Sequence, residues 1–457
     1  MARGKKKGSA LTSEEKLAQA LVPVEEQPYQ VPGNWCWLRL ETVASLYNGD
    51  RGANYPSKKD YVDVGIPFIN AGAIQNNALD DSEFNYITEQ KYESLRAGKI
   101  QKGDILYCLR GSLGKIAIVE TDIIGAISSS LCILRGNEAI LRKYFAYLLQ
   151  SDVIRKQQDN AENGSAQPNL SAASVLKYML PIPSLPEQQR IVDRIEYLFA
   201  KLDEAKEKAQ SVLDSFETRK AAILHKAFTG ELTAKWRAEH GGRFDAWRTL
   251  SVSDIGDVIT GSTPDTKKPE YYGGEVPFVK PTELNQGRYV EAAADTLTEA
   301  GRGVSRPVRA GSTCVCCIGA TISKCGFLMI DAVTNQQINT IVPYSFMDDA
   351  FVYYYCISNR FKNSLIDNSS STTLPIINKK KMSALEFVAP PKEEQTEIVR
   401  ILDSLFAKEQ QAKEAAEAVL EKIDLLKKSI LARAFRGELG TNDPNDESAV
   451  ELLKKIL

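Results

Sequence analysis

Proton transfer and soft-metal binding have few places to reside in this chain of 457 residues. It holds two histidines, His225 and His240, and neither has a cysteine or histidine partner at the spacing a zinc site uses. The thiols Cys314, Cys316, Cys317 and Cys325 lie close together in sequence. At a shift of 208, however, the first three fall on Leu106, Cys108 and Leu109 of an apolar run. These cysteines are therefore expected to behave as small buried hydrophobes and not as metal ligands. The run Gly111 to Lys115, GSLGK, is two residues short of a phosphate-binding loop and has no hydroxyl after its lysine. There is no GxGxxG run, and no Asn-Pro-Pro-Tyr or Asp-Pro-Pro-Tyr tetrad. The chain reads as non-catalytic, with no metal site and no cofactor of its own.

The remaining chemistry is recognition by amides, hydroxyls and cations. Asn and Gln match the hydrogen-bonding edge of adenine, Arg and Lys match guanine or phosphate, and Ser and Thr serve either. Residues of these types stand in glycine-bearing loops at corresponding places in two halves of the chain. In the first half the candidate DNA contacts are Asn70, Gln75, Asn76, Arg110, Ser112, Lys115 and Ser129, with a further polar loop at Asn163 to Gln167. In the second they are Lys280, Thr282, Asn285, Arg288, Lys324, Gln336 and Thr372.

These loops are carried by a duplicated unit. Glu187 and Glu394, Gln188 and Gln395, Phe199 and Phe406, Val212 and Val419, Phe228 and Phe435, and Gly230 and Gly437 are all 207 positions apart. A segment of about 50 residues is thus written twice without insertion or deletion. The globular stretches before each copy follow one plan with drifting offsets: Trp35 and Trp247 differ by 212, Pro67 and Pro277 by 210, Gly111 and Gly319 by 208. A fixed scaffold with free loops suits two readers of different targets, although drift after duplication leaves the same trace.

Within the duplicated segment, Ile191, Ile195, Leu198, Leu202, Ala205, Ala209, Val212 and Phe216 alternate four and three apart. Ile398, Leu402, Leu405, Ala412, Ala416, Val419, Ile423, Leu426 and Ile430 repeat the pattern, with Glu409 where the first copy has Leu202. Such a seam predicts two long helices packed as an antiparallel coiled coil within the chain; pairing with another protein is the alternative. Pro183 and Pro186 bound the first helix at its start, and Gly230 and Gly437 sit where C-terminal caps belong.

The expected fold is α+β, with an internal pseudo-twofold repeat. Residues 1–30 form an extension that includes a capping box at Thr12 and Glu15, and residues 31–183 a first recognition domain. Residues 184–232 form a central helix, 243–389 a second domain and 390–439 a second helix. The tail, 440–457, is read as a docked helix capped by Asn445. A net charge of −2 counts mildly against a DNA-binding protein acting alone. No apolar run approaches about 18 residues, and no secretory segment follows the basic start, so the expected location is the cytoplasm.

The order of domains, with PIPSLPEQQRIVDRIEYLFAKLD, AFTGEL, PPKEEQTEIVRILDSLFA and ILARAFRGEL, resembles the specificity subunit of type I restriction-modification systems over about residues 30 to 440. The resemblance implies two target recognition domains reading the halves of a bipartite, asymmetric DNA site, with the paired helices as a spacer between them. It also implies two docked methyltransferase subunits that use S-adenosylmethionine to methylate adenine. Restriction subunits would use ATP and Mg²⁺ to cleave DNA. Residues assigned by the resemblance to the coiled coil and to subunit docking are Glu187, Gln188, Ile191, Leu198, Phe199, Phe228, Glu394, Gln395, Ile398, Leu405, Phe406 and Phe435. The alternative is a coiled-coil scaffold whose two domains hold ligands other than DNA.

Overall fold

The computed structural model describes residues 12–161, 169–241, 243–285, 288–370 and 375–456. The chain forms two compact units, Met1–Lys208 with Val419–Leu457, and Ala209–Ala418. The long helices are not a separate piece: each contributes one part to each unit.

In the first unit the central sheet runs Ala44–Asn48, Leu131–Gly136, Ile105–Cys108, Ile116–Ile118, all antiparallel. Its strands are apolar on both faces because both are covered. Ile105, Tyr107, Cys132 and Leu134 point into one core, while Leu106, Cys108, Leu131 and Ile133 point into another. A second sheet runs Ala126–Ile127, Ile66–Ile69, Asn85–Ile87, Tyr61–Val62, and the pair Cys36–Arg39 and Met179–Ile182 closes the domain beside the helix start.

The second unit repeats this arrangement. Gly256–Thr260, Ile338–Pro343, Thr313–Cys316 and Cys325–Leu328 follow the same order, extended by Tyr289–Val290. The register repeats as well: Ala44 pairs with Gly136 as Gly256 pairs with Pro343, and Cys108 with Leu131 as Cys316 with Ile338. Two glycines mark equivalent close approaches. A Cβ on Gly49 would meet the Ile127 carbonyl oxygen at 2.7 Å, and one on Gly261 the Asn335 carbonyl oxygen at 2.0 Å.

The thiols divide between the faces of this second sheet. Cys314 and Cys316 point into one core, Cys317 and Cys325 into the other, because strand side chains alternate. Burial pushes the Cys314 and Cys317 thiols up to about 12.

The long helices span Leu185–Phe228 and Lys392–Ala434 and run antiparallel. Ile191 and Ile195 enter the core of the first unit, and the same helix ends with Leu224, Ala227 and Phe228 in the core of the second. The second helix does the converse, through Ile398 and Leu402, then Leu431, Ala434 and the adjoining Phe435. Gly230 and Gly437 take φ of +79° and +75° just beyond the helix ends, as caps.

The seam of the second helix differs from the heptad read in sequence. Val419 and Leu426 are exposed, as is Ala412, whereas Glu409, Lys413, Ala416, Leu420, Ile423, Lys427 and Ile430 turn inward. The inward lysines place their ammonium groups over aromatic rings, Lys427 over Phe199 and Lys413 over Phe216, each 5.2 Å from the ring centroid. Their positions therefore belong to the seam although lysine reads as surface. Across the helices, Lys427 pairs with Asp203 at 2.6 Å in one unit and Arg219 with Glu409 at 2.8 Å in the other.

The extension and tail both fold onto the first unit. The helix Ser13–Ala20 carries the capping box of Thr12 and Glu15. The tail helix Ala449–Ile456 packs beside it and buries Ala449 and Leu453. Asn445 does not cap this helix; it binds the Asp443 carboxylate in the preceding turn, and the Ser448 hydroxyl, two residues before Val450, accepts from the Val450 amide. Among the described residues no helix is long and apolar enough to cross a membrane.

Candidate nucleic-acid interface

The fold first accounts for the Glu-Gln pairs at the helix starts, which lock each helix to its domain. Gln188 accepts the Leu141 amide at 2.7 Å and donates to the Pro183 and Ala139 carbonyls. Gln395 accepts the Asp348 amide at 2.8 Å and donates to the Pro390 carbonyl. Leu141 and Asp348, like Pro183 and Pro390, are again 207 apart. Glu187 accepts the Trp35 indole N–H at 3.0 Å, and Glu394 the Trp247 indole at 3.1 Å.

The rest of each lock is supplied by whatever follows the other long helix. Asn442 donates to Glu187 at 2.8 Å. Thr233 and the Arg237 guanidinium donate to Glu394, the latter as a buried ion pair. One oxygen of Glu187 is buried with no hydrogen-bond partner among the described residues, and burial holds its carboxyl above the usual range against the hydrogen bonds from Trp35 and Asn442.

Glu187, Gln188, Ile191, Phe228, Glu394, Gln395, Ile398 and Phe435 are therefore buried inside their own units, and Leu198, Phe199, Leu405 and Phe406 are half-buried. A docking partner would meet other side chains of the helices. Tyr197, Val419, Leu425 and Leu426 are the large apolar residues of the two long helices that stand exposed.

The candidate loops fall at the open ends of the sheets. In the first unit the loop after Ile105–Cys108 carries Arg110, Ser112 and Lys115, all exposed, with Gly111 at φ +79° and Gly114 at φ +72°. Asn76 and Asn77, at φ +49° and +63°, form the tip of a tight hairpin whose strands, Ile74–Gln75 and Ala78–Leu79, pack against Ile116–Ile118. Gln75 and Asn76 are thus brought near Lys115. Asn70 caps the short turn Ala71–Ala73, and the Ala71 amide binds the Ser130 hydroxyl beside half-buried Ser129.

In the second unit several candidates are engaged internally. Lys280 pairs with Asp295, Gln336 accepts from Thr263, and exposed Thr282 donates to Glu283. Arg288 bonds Tyr354 at 2.7 Å and Asp403, and lies over the Tyr289 and Tyr354 rings. Lys324 is exposed. The Asn285 side chain, Thr372 and the 163–167 loop lie outside the described residues.

Each unit also has a cleft between its domain and the long helices. That of the first, about 750 Å³, is lined by Lys115, Tyr147, Arg155, Glu196, Phe199 and Asp424 among others. That of the second, about 1310 Å³, is lined by Lys324, Tyr354, Lys362, Asp403, Phe406 and Glu217. Apart from the lysines, 209 apart, these are 207-residue counterparts. Inspection of the loops alone missed Arg155, Lys362, Tyr147 and Tyr354; the constant offset was the signal that would have found them.

The repeated register, the double helix lock and the paired clefts are the frame of a known family. The family model for the type I restriction modification DNA specificity domain matches this chain twice, over residues 32–213 and 245–422. The chain belongs to that family. Similar curated proteins include the HindI specificity subunit of Haemophilus influenzae, 26% identical over 76% of this chain and 89% of that protein. The EcoKI specificity subunit of Escherichia coli K12 is 23% identical over 93% and 96%. Among solved structures, the HsdS subunit from Thermoanaerobacter tengcongensis superposes with a TM-score of 0.64 at 20% identity, over 91% of this chain and all of that one. A structure titled for complex assembly and conformational transition of the type I R-M system gives 0.64 at 21% identity, over 90% of this chain and all of that one. The two specificity domains of this family member correspond to the two sheet-bearing segments, one in each unit.

Proposed function

We propose that this chain is the sequence-reading subunit of a type I restriction-modification complex and has no active site of its own. Each unit reads one half of a bipartite DNA target through its divergent loops. The observation that carries this is the contrast inside the repeat: strand register and helix lock are the same in both units, whereas the loops at the sheet ends differ in length and composition. Specificity resides in base contacts that vary between readers of different sites, while the scaffold need not vary.

Two methyltransferase subunits, as the doubled architecture implies, dock on the long helices and supply S-adenosylmethionine chemistry. Restriction subunits supply ATP- and Mg²⁺-dependent cleavage. Exposed Tyr197, Leu425 and Leu426 offer apolar surface for such docking. Near-neutral net charge suits a subunit whose partners share the phosphate contacts.

The test is methylation mapping of a strain carrying the complex against a strain lacking this chain. The expected result is a two-part adenine-methylated site that disappears with the chain. Replacing the segment from Trp247 to Glu386 by that of a relative should change one half of the site alone. Methylation that survives deletion of the chain, or a swap that alters both halves, would sink the assignment.

A further inference from the structure

The two clefts carry a pair of cations whose positions survive the duplication while their surroundings do not. Lys115 and Lys324 are each held by the same backbone frame. The amide of Cys108 binds the Lys115 carbonyl at 2.9 Å, and that of Cys316 the Lys324 carbonyl at 2.8 Å. One residue earlier, Gly114 and Ser323 donate to the carbonyls of Cys108 and Cys316 and take φ of +72° and +69°. The loop between these fixed points is one residue longer in the second unit and shares little with the first, yet it closes on a lysine both times.

The second cation is Arg155 in one unit and Lys362 in the other, 207 apart, each lining the same cleft as its lysine. Neighbouring lining positions have diverged: Gln150 answers Ile357, and Lys428 answers Ala221. Among the described residues no hydrogen bond or ion pair engages the ammonium of Lys115, Lys324 or Lys362 or the guanidinium of Arg155. By contrast, Glu196 of the first cleft is taken by Lys143, and Asp403 of the second by Arg288.

A cation that specified a base would be expected to differ between readers of different half-sites, as the loop tips do. A cation kept at a fixed place on both scaffolds fits the part of DNA that is the same everywhere. We propose that Lys115 with Arg155, and Lys324 with Lys362, bind backbone phosphates and set how tightly each unit holds any duplex, without setting which bases it reads. This rests on the DNA-reading assignment above.

The test uses the full chain copurified with its methyltransferase partner, titrated by fluorescence anisotropy with its mapped target duplex and with a scrambled duplex over a series of salt concentrations. Lys115→Gln with Arg155→Gln should weaken both duplexes by a similar factor, roughly tenfold. It should also flatten the plot of log affinity against log salt by about 2, since each phosphate contact contributes about 0.9. The mapped methylation site should be unchanged. The charge-retaining pair Lys115→Arg with Arg155→Lys should keep the wild-type slope. An altered methylation site, or an unchanged slope in the Gln pair while the wild type binds, overturns the phosphate assignment and leaves the reader assignment standing. A wild type that binds neither duplex sinks the reader assignment itself.

Discussion

The two helix locks make the same connection with different chemistry. Around Glu394 a guanidinium and a hydroxyl reach the carboxylate, so a buried charge meets a buried charge. Around Glu187 an amide takes that place, and one carboxyl oxygen has no hydrogen-bond partner among the described residues. The geometry was copied with the repeat because tryptophan and glutamine fix it. The electrostatics were not copied, because the covering segments, residues 233–246 and 440–446, lie outside the part repeated without gaps. A buried acid is eased in two ways, by pairing it with a cation or by an upward shift of its titration that burial imposes.

The same substitution at the two positions should therefore give different results. Glu394→Gln removes the carboxylate that Arg237 pairs with in a buried site and should destabilise the second unit by about 3–5 kcal/mol in chemical denaturation. Glu187→Gln keeps an oxygen to accept from Trp35 and Asn442, and should leave stability at neutral pH within about 1 kcal/mol of wild type, or raise it. The pH dependence carries the sign. Because the folded carboxyl titrates above its ordinary 4.5, the stability Glu187 contributes when protonated is present below that value and is lost as pH rises through the folded value. Denaturation midpoints taken upward from mildly acid pH should fall across that window in the wild type and not in Glu187→Gln. Equal losses in the two variants would show that the locks are electrostatically alike.

The glutamines test the part of the comparison that should be symmetric. Gln188→Ala and Gln395→Ala each strand a half-buried backbone amide, of Leu141 or Asp348, and remove a buried bond to a proline carbonyl. Each should cost about 1–3 kcal/mol, and the two losses should agree to within about 1 kcal/mol. A large difference would mean that one glutamine is carried by neighbours that the other lacks.

How much of this was legible in sequence follows the same division. The duplication, the two long helices and the glycine caps were all open to a reader counting positions, since each is set by spacing. The burial of Glu187, Gln188, Glu394 and Gln395 was not, because a charged residue at a helix start reads as solvated until its partners, 147 to 255 positions away in the case of the acids, are known. Nor was the seam of the second helix. Val419 and Leu426 were the apolar candidates, yet Lys413 and Lys427 took inward places, since an ammonium over a phenylalanine ring of the other helix gains a cation–π contact that spacing does not reveal. The cap at Ser448 was displaced from Asn445 by a turn that Asp443 organises. Individual base contacts were beyond sequence reasoning because polar loop residues such as Lys280 and Arg288 can equally bind their own domain.

The smallest effect separates the two contacts that bridge the long helices. Lys427 and Asp203 form an ion pair in which Asp203 is half exposed, with a side-chain accessibility of 52%, whereas Arg219 and Glu409 are at 34% and 21%. Lys427 itself is at 28%, yet it gains little from a carboxylate that water reaches so freely. Lys427→Met removes both the Asp203 pair and the ammonium over the Phe199 ring while keeping a side chain of similar length, and should change stability by about 1 kcal/mol or less. Arg219→Met removes a guanidinium that also bonds the Ser215 hydroxyl and the Val212 carbonyl, and should cost more. If Lys427→Met proves the costlier of the two, the ammonium contacts of Lys427 outweigh the guanidinium network of Arg219, and exposure of the paired carboxylate does not rank the two bridges.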